Sequence, residues 1–355
     1  QRQALLNTLP RIKSDLDLQP TDETLFIGRE AISEYVQFPE EGYFVKSPKS
    51  FFGATGLKQG QINFFEDIAT AMILKIKQRA ELSLKTPLTQ TVIGRPVNFQ
   101  AVGGEQSNQQ AVGILERAAK RAGFKDVEFL YEPLAAGIDY ESSLVEDQKV
   151  LVIDIGGGTT DIAVIKNGQI QHTVVIPIAG DQVTNDISVA FRTPNQSAED
   201  IKINHGSAMT NMASANEIIE IPLVDGRDPK KITTLSLAQV IQPRMEELFD
   251  LIKNELIRSK TMDVISSGIV ITGGSSMLNG AVELAESIFD APVRLGLPRD
   301  IDGLLEVIEN PRYATGVGLL KMGKEDKDKD TNLHLDGNTI TNILKKMKLW
   351  FQGNF

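Results

Sequence analysis

A glycine-rich run between two carboxylates has the clearest chemical potential in this sequence. Asp154 and Asp161 bound the run DIGGGTTD, and apolar segments typical of strands lie on both sides of it. Glycine leaves backbone N–H groups without side-chain cover, so several donors can converge on phosphate oxygens. The predicted phosphate contacts are Gly156, Gly157, Gly158, Thr159 and Thr160. Because magnesium takes few protein oxygens and keeps its waters, Asp154 and Asp161 suit a hydrated Mg²⁺ bound to those phosphates.

The run differs from the other common phosphate-binding patterns. No Gly-Lys-Ser/Thr triplet follows the glycines, and the next segment predicts a strand where a Walker or Rossmann loop would be followed by a helix. The residues alone leave one alternative open, which is a glycine-rich turn that joins two strands and binds nothing.

A third carboxylate lies where a strand meets a helix. Glu132 stands in YEPLAAG, and Pro133 is a residue that favours the first turn of a helix. In α/β folds, ligands bind beyond the carboxyl ends of the strands, which is where this position would lie. The alternative is an ordinary glutamate at a helix N-terminus.

The run ITGGSSML, residues Ile271 to Leu278, predicts a buried strand that ends at Gly273 and Gly274, with Ser275 opening a helix. Bare backbone at such a turn allows a ribose and a base to lie against it. Alone, this run is equally compatible with a simple strand–helix connection.

The elements around these motifs alternate between helix and strand, which predicts an α/β fold. An amphipathic helix from Gln61 to Ile76 is expected to cover a sheet. The remaining predicted elements are a strand at Thr91–Val97 stopped by Pro96, a helix at Asn108–Ala122 ended by Gly123, a strand at Val127–Leu130, the hairpin Lys149–Asp154 with Asp161–Lys166, a helix at Leu237–Ile257 and a buried strand at Gly268–Thr272.

Composition excludes several classes of function. The 355 residues allow two or three domains. A net charge of −10 argues against a nucleic-acid partner, because phosphate backbones require a basic face. The chain has no cysteine, which excludes disulfides, thiolate metal sites and a cysteine nucleophile. No apolar run reaches the ~18 to 20 residues that span a bilayer, and no signal peptide is recognised, so export by that route is not expected.

The C-terminal region predicts a tether. Residues 324–338 begin with alternating Lys, Glu and Asp and read as a solvated linker. Residues 339–355 follow the helical period with lysines on the polar face, which is typical of a helix lying in a membrane interface. The predicted membrane-facing residues are Ile340, Ile343, Leu344, Met347, Trp350, Phe351 and Phe355. The alternative is a helix that packs back on the protein.

The quoted motifs together resemble the actin and heat-shock-chaperone ATPase superfamily. The resemblance implies an α/β, ribonuclease H-like fold of two lobes that close over Mg·ATP. By the same resemblance, DIGGGTTD is the second phosphate motif, EPLAAG the first connecting helix, ITGG the adenosine motif, and YATGVGLL, at Tyr313 to Leu320, the second connecting helix.

The two parts of the chain resemble different branches of that superfamily. Residues from about 25 to 160, with FVKSPKSFFGATGLK and VIGRPVNFQ, resemble the chaperone-like YegD proteins. Residues from about 150 to 355, with HTVVIPIAGDQVTNDISVAF, AEDIKINHGSA and GIVITGG, resemble the cell-division protein FtsA. The resemblance therefore predicts a hybrid whose seam lies within or near residues 150 to 165.

The resemblance also implies roles for residues that spacing alone does not identify. Glu199 and Lys202 would flank the adenosine; without the family they would be assigned as a solvated i, i+3 ion pair. Lys49 would support hydrolysis, with Lys46 as the other candidate, and either lysine is equally compatible with a surface position. In the same picture Glu132 positions the attacking water and Asp161 acts beside it.

These inferences combine into one expectation and two rivals. We expect an ATP-binding, FtsA-like division protein on the inner face of the cytoplasmic membrane. Its expected partner is the C-terminal tail of the division tubulin FtsZ, and a second copy of the same chain is a further candidate. Weak Mg-dependent ATP hydrolysis is left open. The rivals are a YegD-like chaperone ATPase and a defective fused gene product.

The expected divisions are a partial chaperone-like lobe at 1–148, a second lobe at 149–323, the linker at 324–338 and the membrane helix at 339–355. The superfamily's first phosphate hairpin is not found before residue 25, so the first lobe is expected to be incomplete, with exposed strand edges.

Overall fold

A computed structural model describes residues 48–99, 104–141, 149–166, 169–224, 228–262, 268–298 and 310–321, together with the single residues 26, 31, 35 and 45. The predicted linker and membrane helix lie outside the described residues, as does Lys46.

The first part of the chain forms helices α1 to α4 and two strands. Their bounds are α1 Lys49–Phe52, α2 Gln59–Leu84, β1 Gln90–Arg95, α3 Gly104–Arg121, β2 Asp126–Tyr131 and α4 Glu132–Glu141. The predicted strand before Pro96 is confirmed. The predicted stop at Gly123 is also confirmed, since this glycine adopts φ +95° and ends α3 in a left-handed conformation.

The second part forms a larger sheet with helices α5 to α9. Its elements are β3 Lys149–Ile155, β4 Thr160–Lys166, β5 Gln169–Ile176, α5 Gly180–Phe191, α6 Asn195–His205, β6 Ile218–Ile221, β7 Lys230–Thr233, α7 Thr234–Arg258, β8 Ile269–Thr272, α8 Ala281–Phe289, β9 Val293–Leu295 and α9 at 314–321. Short 3₁₀ turns lie at Thr210–Met212, Gly274–Met277 and Pro311–Tyr313.

The helix at Gln61–Ile76 was expected to cover a sheet. In the first part of the chain, however, α2 packs mainly on α3. Buried Ala111, Ile114 and Ala118 of α3 line this contact, and Ile93 and Phe129 of the strands join the same apolar cluster from its other side. Helix α3 therefore intervenes because its small and branched residues fill the space beside α2. Strands β1 and β2 are parallel, with Gln90 opposite Asp126 and Arg95 opposite Tyr131.

The five-stranded sheet has the order β5-β4-β3-β8-β9. Strands β5, β4 and β3 are antiparallel neighbours, whereas β3, β8 and β9 are parallel. The sheet is covered on both faces, which explains the continuous apolar runs at residues 150–153 and 162–165 of its central strands. Leu151 and Ile153 join the cluster with helices α5 to α8, while Val150 and Val152 join a cluster with Ala136 of α4.

Helices α4 and α9 meet at a backbone contact. A Cβ added to Gly318 would lie 1.9 Å from the carbonyl oxygen of Ala135. Only glycine allows this approach, so the crossing of the two predicted connecting helices depends on Gly318. None of the helices in the described ranges is long and apolar enough to cross a bilayer.

Candidate nucleotide site

The glycine turn joins β3 to β4 with Asp154 directly opposite Asp161. The N–H of Gly156 donates to the carbonyl of Thr159 at 3.0 Å, which makes Gly157 and Gly158 the tip of the turn. In the described part of the chain, no backbone hydrogen bond engages the N–H groups of Gly157, Gly158 or Thr159. Three N–H groups of the turn are thus not used by the backbone of the described residues, and a phosphate site requires such donors.

Two of the five residues predicted to contact phosphate make hydrogen bonds within the protein. The N–H of Gly156 is occupied within the turn. The hydroxyl of Thr160 is buried and donates to the carbonyl of Ile178 at 2.7 Å. These two residues therefore shape the turn, and the donors left for a ligand come from its tip.

Asp161 is a buried carboxylate with little compensation. Its Oδ1 has no hydrogen-bond partner among the described residues, and its Oδ2 accepts only a 3.3 Å bond from the Thr159 hydroxyl. Burial raises the pKa of Asp161 to about 7, and the negative charges of Glu132 and Asp154 act in the same direction. The positive charge of Lys49 opposes this shift.

Asp154 has the same environment with one added donor. Burial raises the pKa of its carboxyl group, while a hydrogen bond from the Thr315 hydroxyl, at 2.7 Å to Oδ2, opposes the rise. Asp154 as a whole residue is half-buried. Two neighbouring carboxylates that both resist ionisation form a site that a cation would stabilise.

The donor set fits a magnesium ion held through water better than one bound directly. Within the described ranges, no group of three or more His, Asp or Glu side chains is placed to hold a metal ion. The unpartnered Oδ1 of Asp161 and the carboxylate of Asp154 can instead accept hydrogen bonds from metal-bound waters.

Lys49 and Glu132 lie at the same site and form an ion pair. Lys49 Nζ, on the short helix α1, contacts Glu132 Oε1 at the start of α4. Both charges act on Asp154 and Asp161, so the structure brings together the four residues predicted for catalysis and metal binding. Gly94 was not predicted: a Cβ there would lie 3.0 Å from Glu132 Cγ, so the glycine makes room for this side chain.

The predicted adenosine turn borders the glycine turn. Gly273 adopts φ +85°, and a Cβ there would lie 2.3 Å from Asp154 Oδ1. The expectation that Ser275 opens a helix is wrong. Gly274–Met277 is a 3₁₀ turn. Helix α8 begins only at Ala281, after Gly280, whose left-handed conformation at φ +78° is not that of an α-helix. Ser275 Oγ instead donates to the carbonyl of Gly156 at 3.0 Å and ties the two turns together.

The ion pair of Glu199 with Lys202 is present, but the alternative of an ordinary solvated pair does not hold for Lys202. Lys202 is 7% exposed. Its Nζ donates to the Gly180 carbonyl at 3.0 Å, to Thr184 Oγ1 at 2.9 Å and to Glu199 Oε2 at 2.7 Å. Glu199 lies closer to solvent, with 35% of its side chain exposed.

Sequence reasoning missed the start of α5 as part of the site. The N–H of Gly180 donates to the Gly156 carbonyl at 3.2 Å, and that of Asp181 donates to the Gly157 carbonyl at 2.7 Å. The run IAGD before an amphipathic stretch was the available signal, because glycine followed by aspartate is common where a helix begins.

Two family models match the chain. The model for the cell division protein FtsA matches residues 151–318, and that for the Hsp70 protein matches residues 43–223. The two matches overlap across the glycine turn. The predicted double resemblance, to the division protein and to the heat-shock chaperones, is therefore confirmed.

Similar curated proteins are cell division proteins FtsA. That of Pseudomonas aeruginosa is 46% identical over 250 residues, covering 68% of this chain and 59% of the relative. That of Neisseria meningitidis serogroup B is 36% identical over 283 residues, covering 78% and 67%. For Escherichia coli K12 the values are 36% over 267 residues, 70% and 61%. The matched region thus spans about three fifths to two thirds of each relative.

Similar solved structures include MreB5 of Spiroplasma citri bound to ADP, with a TM-score of 0.65 and 21% identity, covering 88% of each chain. The same protein bound to AMPPNP gives a TM-score of 0.57, also at 21% identity. At this identity the likeness establishes the fold, and the predicted actin-like α/β fold is confirmed.

Proposed function

Because the chain belongs to the actin-like ATPase superfamily, with Hsp70-family and FtsA-family segments that overlap over residues 151–223, we propose that it binds ATP and Mg²⁺ at the glycine turn. The observation that carries this proposal concerns the described residues: the buried Oδ1 of Asp161 has no hydrogen-bond partner among them, and the N–H groups of Gly157, Gly158 and Thr159 meet no backbone acceptor. Such a site is unfavourable empty and favourable once an anion and a cation fill it together.

Each group has a separate task in this proposal. The N–H groups of Gly157, Gly158 and Thr159 donate to phosphate oxygens. Asp154 and Asp161 would hold the magnesium ion through its waters, and the ion would supply positive charge beside the phosphates. The adenosine lies against the bare backbone at Gly273 and Gly274, next to Ser275, with Glu199 at its exposed side.

If ATP is turned over, Glu132 accepts a hydrogen bond from the attacking water, and Lys49 holds the Glu132 carboxylate in place through their ion pair. The weak activity expected of such a site suits a protein that uses ATP mainly to set its conformation. The relatives' role in cell division supports an FtsA-like adaptor.

For the adaptor we propose the divisions 1–148, 149–323, 324–338 and 339–355, with the last segment bound to the inner membrane surface. Its second lobe would bind the C-terminal tail of FtsZ. The support is the FtsA match and the amphipathic pattern of residues 339–355.

Calorimetric titration with Mg·ATP tests the nucleotide site. We expect measurable affinity in the unmodified chain and a loss of at least about tenfold in Asp161→Asn, since a charge-assisted contact is worth about 1.5 to 3 kcal/mol. Asp200→Asn, which removes an exposed carboxylate on α6, is the matched control and should leave the affinity unchanged. No heat of binding in the unmodified chain would refute the proposal and favour a defective hybrid.

Flotation with anionic liposomes tests the tether. The full chain should float, whereas a chain lacking residues 339–355 and the variant Leu344→Glu should not. Replacement of Asn342, a polar residue in the same segment, by Gln serves as a control. If the full chain stays in the bottom fraction while the liposomes float, the membrane role is contradicted.

The Hsp70 match favours a second candidate, a chaperone-type ATPase. A permanently unfolded probe such as reduced, carboxymethylated lactalbumin separates the two. Faster ATP hydrolysis in its presence would support the chaperone, and an unchanged rate together with binding to an FtsZ tail peptide would support the adaptor.

A further inference from the structure

The C-terminal end of helix α2 exposes three large apolar side chains. Ile76, Leu82 and Leu84 are 63%, 79% and 62% exposed, and all three lie within the last nine residues of the helix. A cavity of about 470 Å³, lined in part by Leu82 and Pro87, adjoins the same end. Single exposed apolar residues are common on protein surfaces, whereas a group of them indicates a surface that binds a partner.

The same end of α2 is basic in a chain that is acidic overall. Four basic residues and one acidic residue give residues 75–90 a net charge of +3, against −10 for the whole chain. These residues are Lys75, Lys77, Arg79, Lys85 and Glu81. Arg79 is three residues from both Ile76 and Leu82, so it lies between them on the helix surface. At the neighbouring start of β2, the charges of Lys125 and Asp126 offset each other.

The one acidic residue of this segment is engaged with its neighbours. Glu81 Oε1 accepts a hydrogen bond from the N–H of Leu88 at 2.8 Å and lies 3.1 Å from Lys77 Nζ. These contacts fix the turn that follows α2 and offset the charge of Lys77. Arg79 and Lys85 are exposed, and neither forms an ion pair with a residue that the structure describes. Two cations beside the exposed leucines are therefore open to an anionic partner.

Local structure accounts for only part of this pattern. A cation such as Lys85 is favourable at the C-terminus of a helix because of the helix dipole, but the dipole gives no reason for leucines to face water. A two-fold contact between copies of the chain would bury the leucines and bring like charges together. An anionic lipid surface suits both features, because its interfacial layer takes apolar side chains and its phosphates attract Arg and Lys.

We propose that this end of α2 is a membrane contact, which we call the α2 patch: Ile76, Arg79, Leu82, Leu84 and Lys85. The leucines enter the interfacial layer of an anionic bilayer, while the long basic side chains reach its phosphates. The patch is far in sequence from residues 339–355 and goes beyond the proposed tether, although its purpose rests on that membrane role. With the tether bound, the patch forms its contact at high effective concentration and restricts how the chain is oriented on the membrane.

Binding of the full chain to vesicles of equal parts phosphatidylglycerol and phosphatidylcholine tests the apolar part of the patch. The double variant Leu82→Ser, Leu84→Ser should bind at least about tenfold more weakly, since two apolar side chains no longer enter the lipid. Both positions are exposed, so the variant should keep the fold. Val189→Ser is the matched control, because Val189 is 70% exposed on helix α5. Equal binding by the leucine variant and the unmodified chain would overturn the inference.

The same vesicles at several salt concentrations test the charges. Arg79→Gln combined with Lys85→Gln should weaken binding about tenfold at low ionic strength, and less at high salt because counter-ions screen the attraction. Lys58→Gln is the matched control, since Lys58 lies at the opposite end of the same helix, whose 26 residues span about 39 Å. An equal loss in Lys58→Gln would show that overall charge governs binding and would overturn the inference.

A tryptophan reporter locates the contact. Trp350 is the single tryptophan of the chain, so Leu82→Trp in a Trp350→Phe background places the only reporter in the patch. Val189→Trp in the same background is the control. Anionic vesicles should shift the emission from position 82 to shorter wavelengths, and brominated acyl chains should quench it, with neither effect at position 189. Unchanged emission at position 82 would overturn the inference. So would a shift that appears without lipid as the protein concentration rises, because a second copy would then cover the patch.

These measurements separate the patch from the tether. A full chain that floats with anionic liposomes, but shows no emission change at position 82, would refute the patch and leave the tether standing. A full chain that binds no better than one lacking residues 339–355, yet shows the shift at position 82 at low salt, would refute the tether and support the patch. A full chain that neither floats nor shifts would refute both.

Discussion

Thr315 donates a hydrogen bond to Asp154 across 161 residues of sequence, from Oγ1 to Oδ2 at 2.7 Å. Asp154 is the last residue but one of the central strand β3, whereas Thr315 lies in the first turn of α9. The same helix contacts α4 through Gly318. The carboxylate proposed to hold magnesium is therefore oriented by a helix that also packs against the first part of the chain, and movement of that helix would change the site.

Replacement of Thr315 by Val should weaken Mg·ATP binding by roughly three- to tenfold. The isosteric change removes the hydroxyl that favours ionised Asp154, so the pKa of this carboxyl rises further. Calorimetry at two pH values measures the effect, which should be larger at the lower pH. Thr315→Ser keeps the donor and should bind as the unmodified chain does; equal losses in both variants would contradict the explanation.

Asp161 should make the nucleotide-free protein less stable as the pH rises. Its pKa is about 7 in the folded chain against an ordinary 3.8, so the folded state holds a proton that the unfolded state has released. Its contribution is therefore fully present below about pH 4, falls as the pH rises through 7, and changes by about 4 kcal/mol in total.

Urea unfolding between pH 4 and pH 8 measures this dependence by comparing the chain with Asp161→Asn, which keeps a neutral side chain at every pH. The stability of the variant relative to the unmodified chain should increase across the window. Asp200→Asn, at an exposed site, should show no such trend. A flat difference for Asp161→Asn would mean that the carboxylate ionises normally.

The sequence predicted the local part of the site well. Two continuous apolar runs and three glycines between them define the hairpin, and the pairing of Asp154 with Asp161 follows from its symmetry. The sequence could not identify Thr315, because its contact depends on how distant elements pack. The spacing of Glu199 and Lys202 is typical of a solvated pair, and only the packing of α6 against α5 makes Lys202 a buried group. Gly180 was missed for the same reason, because its contact with Lys202 also depends on the packing of α6 against α5.

Glu132 and Lys49 should shift the titration of Asp161 in opposite directions. The charge of Glu132 raises the pKa of Asp161, and that of Lys49 lowers it. Glu132→Gln should therefore move the titration midpoint down, and Lys49→Met should move it up. Carbon NMR of the labelled Asp161 carboxyl group measures both. Lys58→Met changes an exposed lysine before α2 and should leave the Asp161 titration midpoint unchanged. Shifts of the same sign in Glu132→Gln and Lys49→Met would contradict the placement of these two charges beside Asp161.

Helix α9 contains two glycines, Gly316 and Gly318, whose replacement by alanine should have opposite effects on stability. A Cβ at Gly318 would lie 1.9 Å from the Ala135 carbonyl oxygen, so Gly318→Ala must separate α9 from α4 and should cost about 2 to 4 kcal/mol of unfolding free energy. A Cβ at Gly316 meets nothing within 4 Å, so Gly316→Ala should be neutral or stabilise by up to about 1 kcal/mol through helix propensity. Thermal unfolding of both variants measures the difference.

The same two variants test whether α9 orients Asp154. Because Thr315 precedes the Gly318 contact by three residues, Gly318→Ala should also weaken Mg·ATP binding, whereas Gly316→Ala should not. Equal binding by the two variants would show that α9 does not orient Asp154.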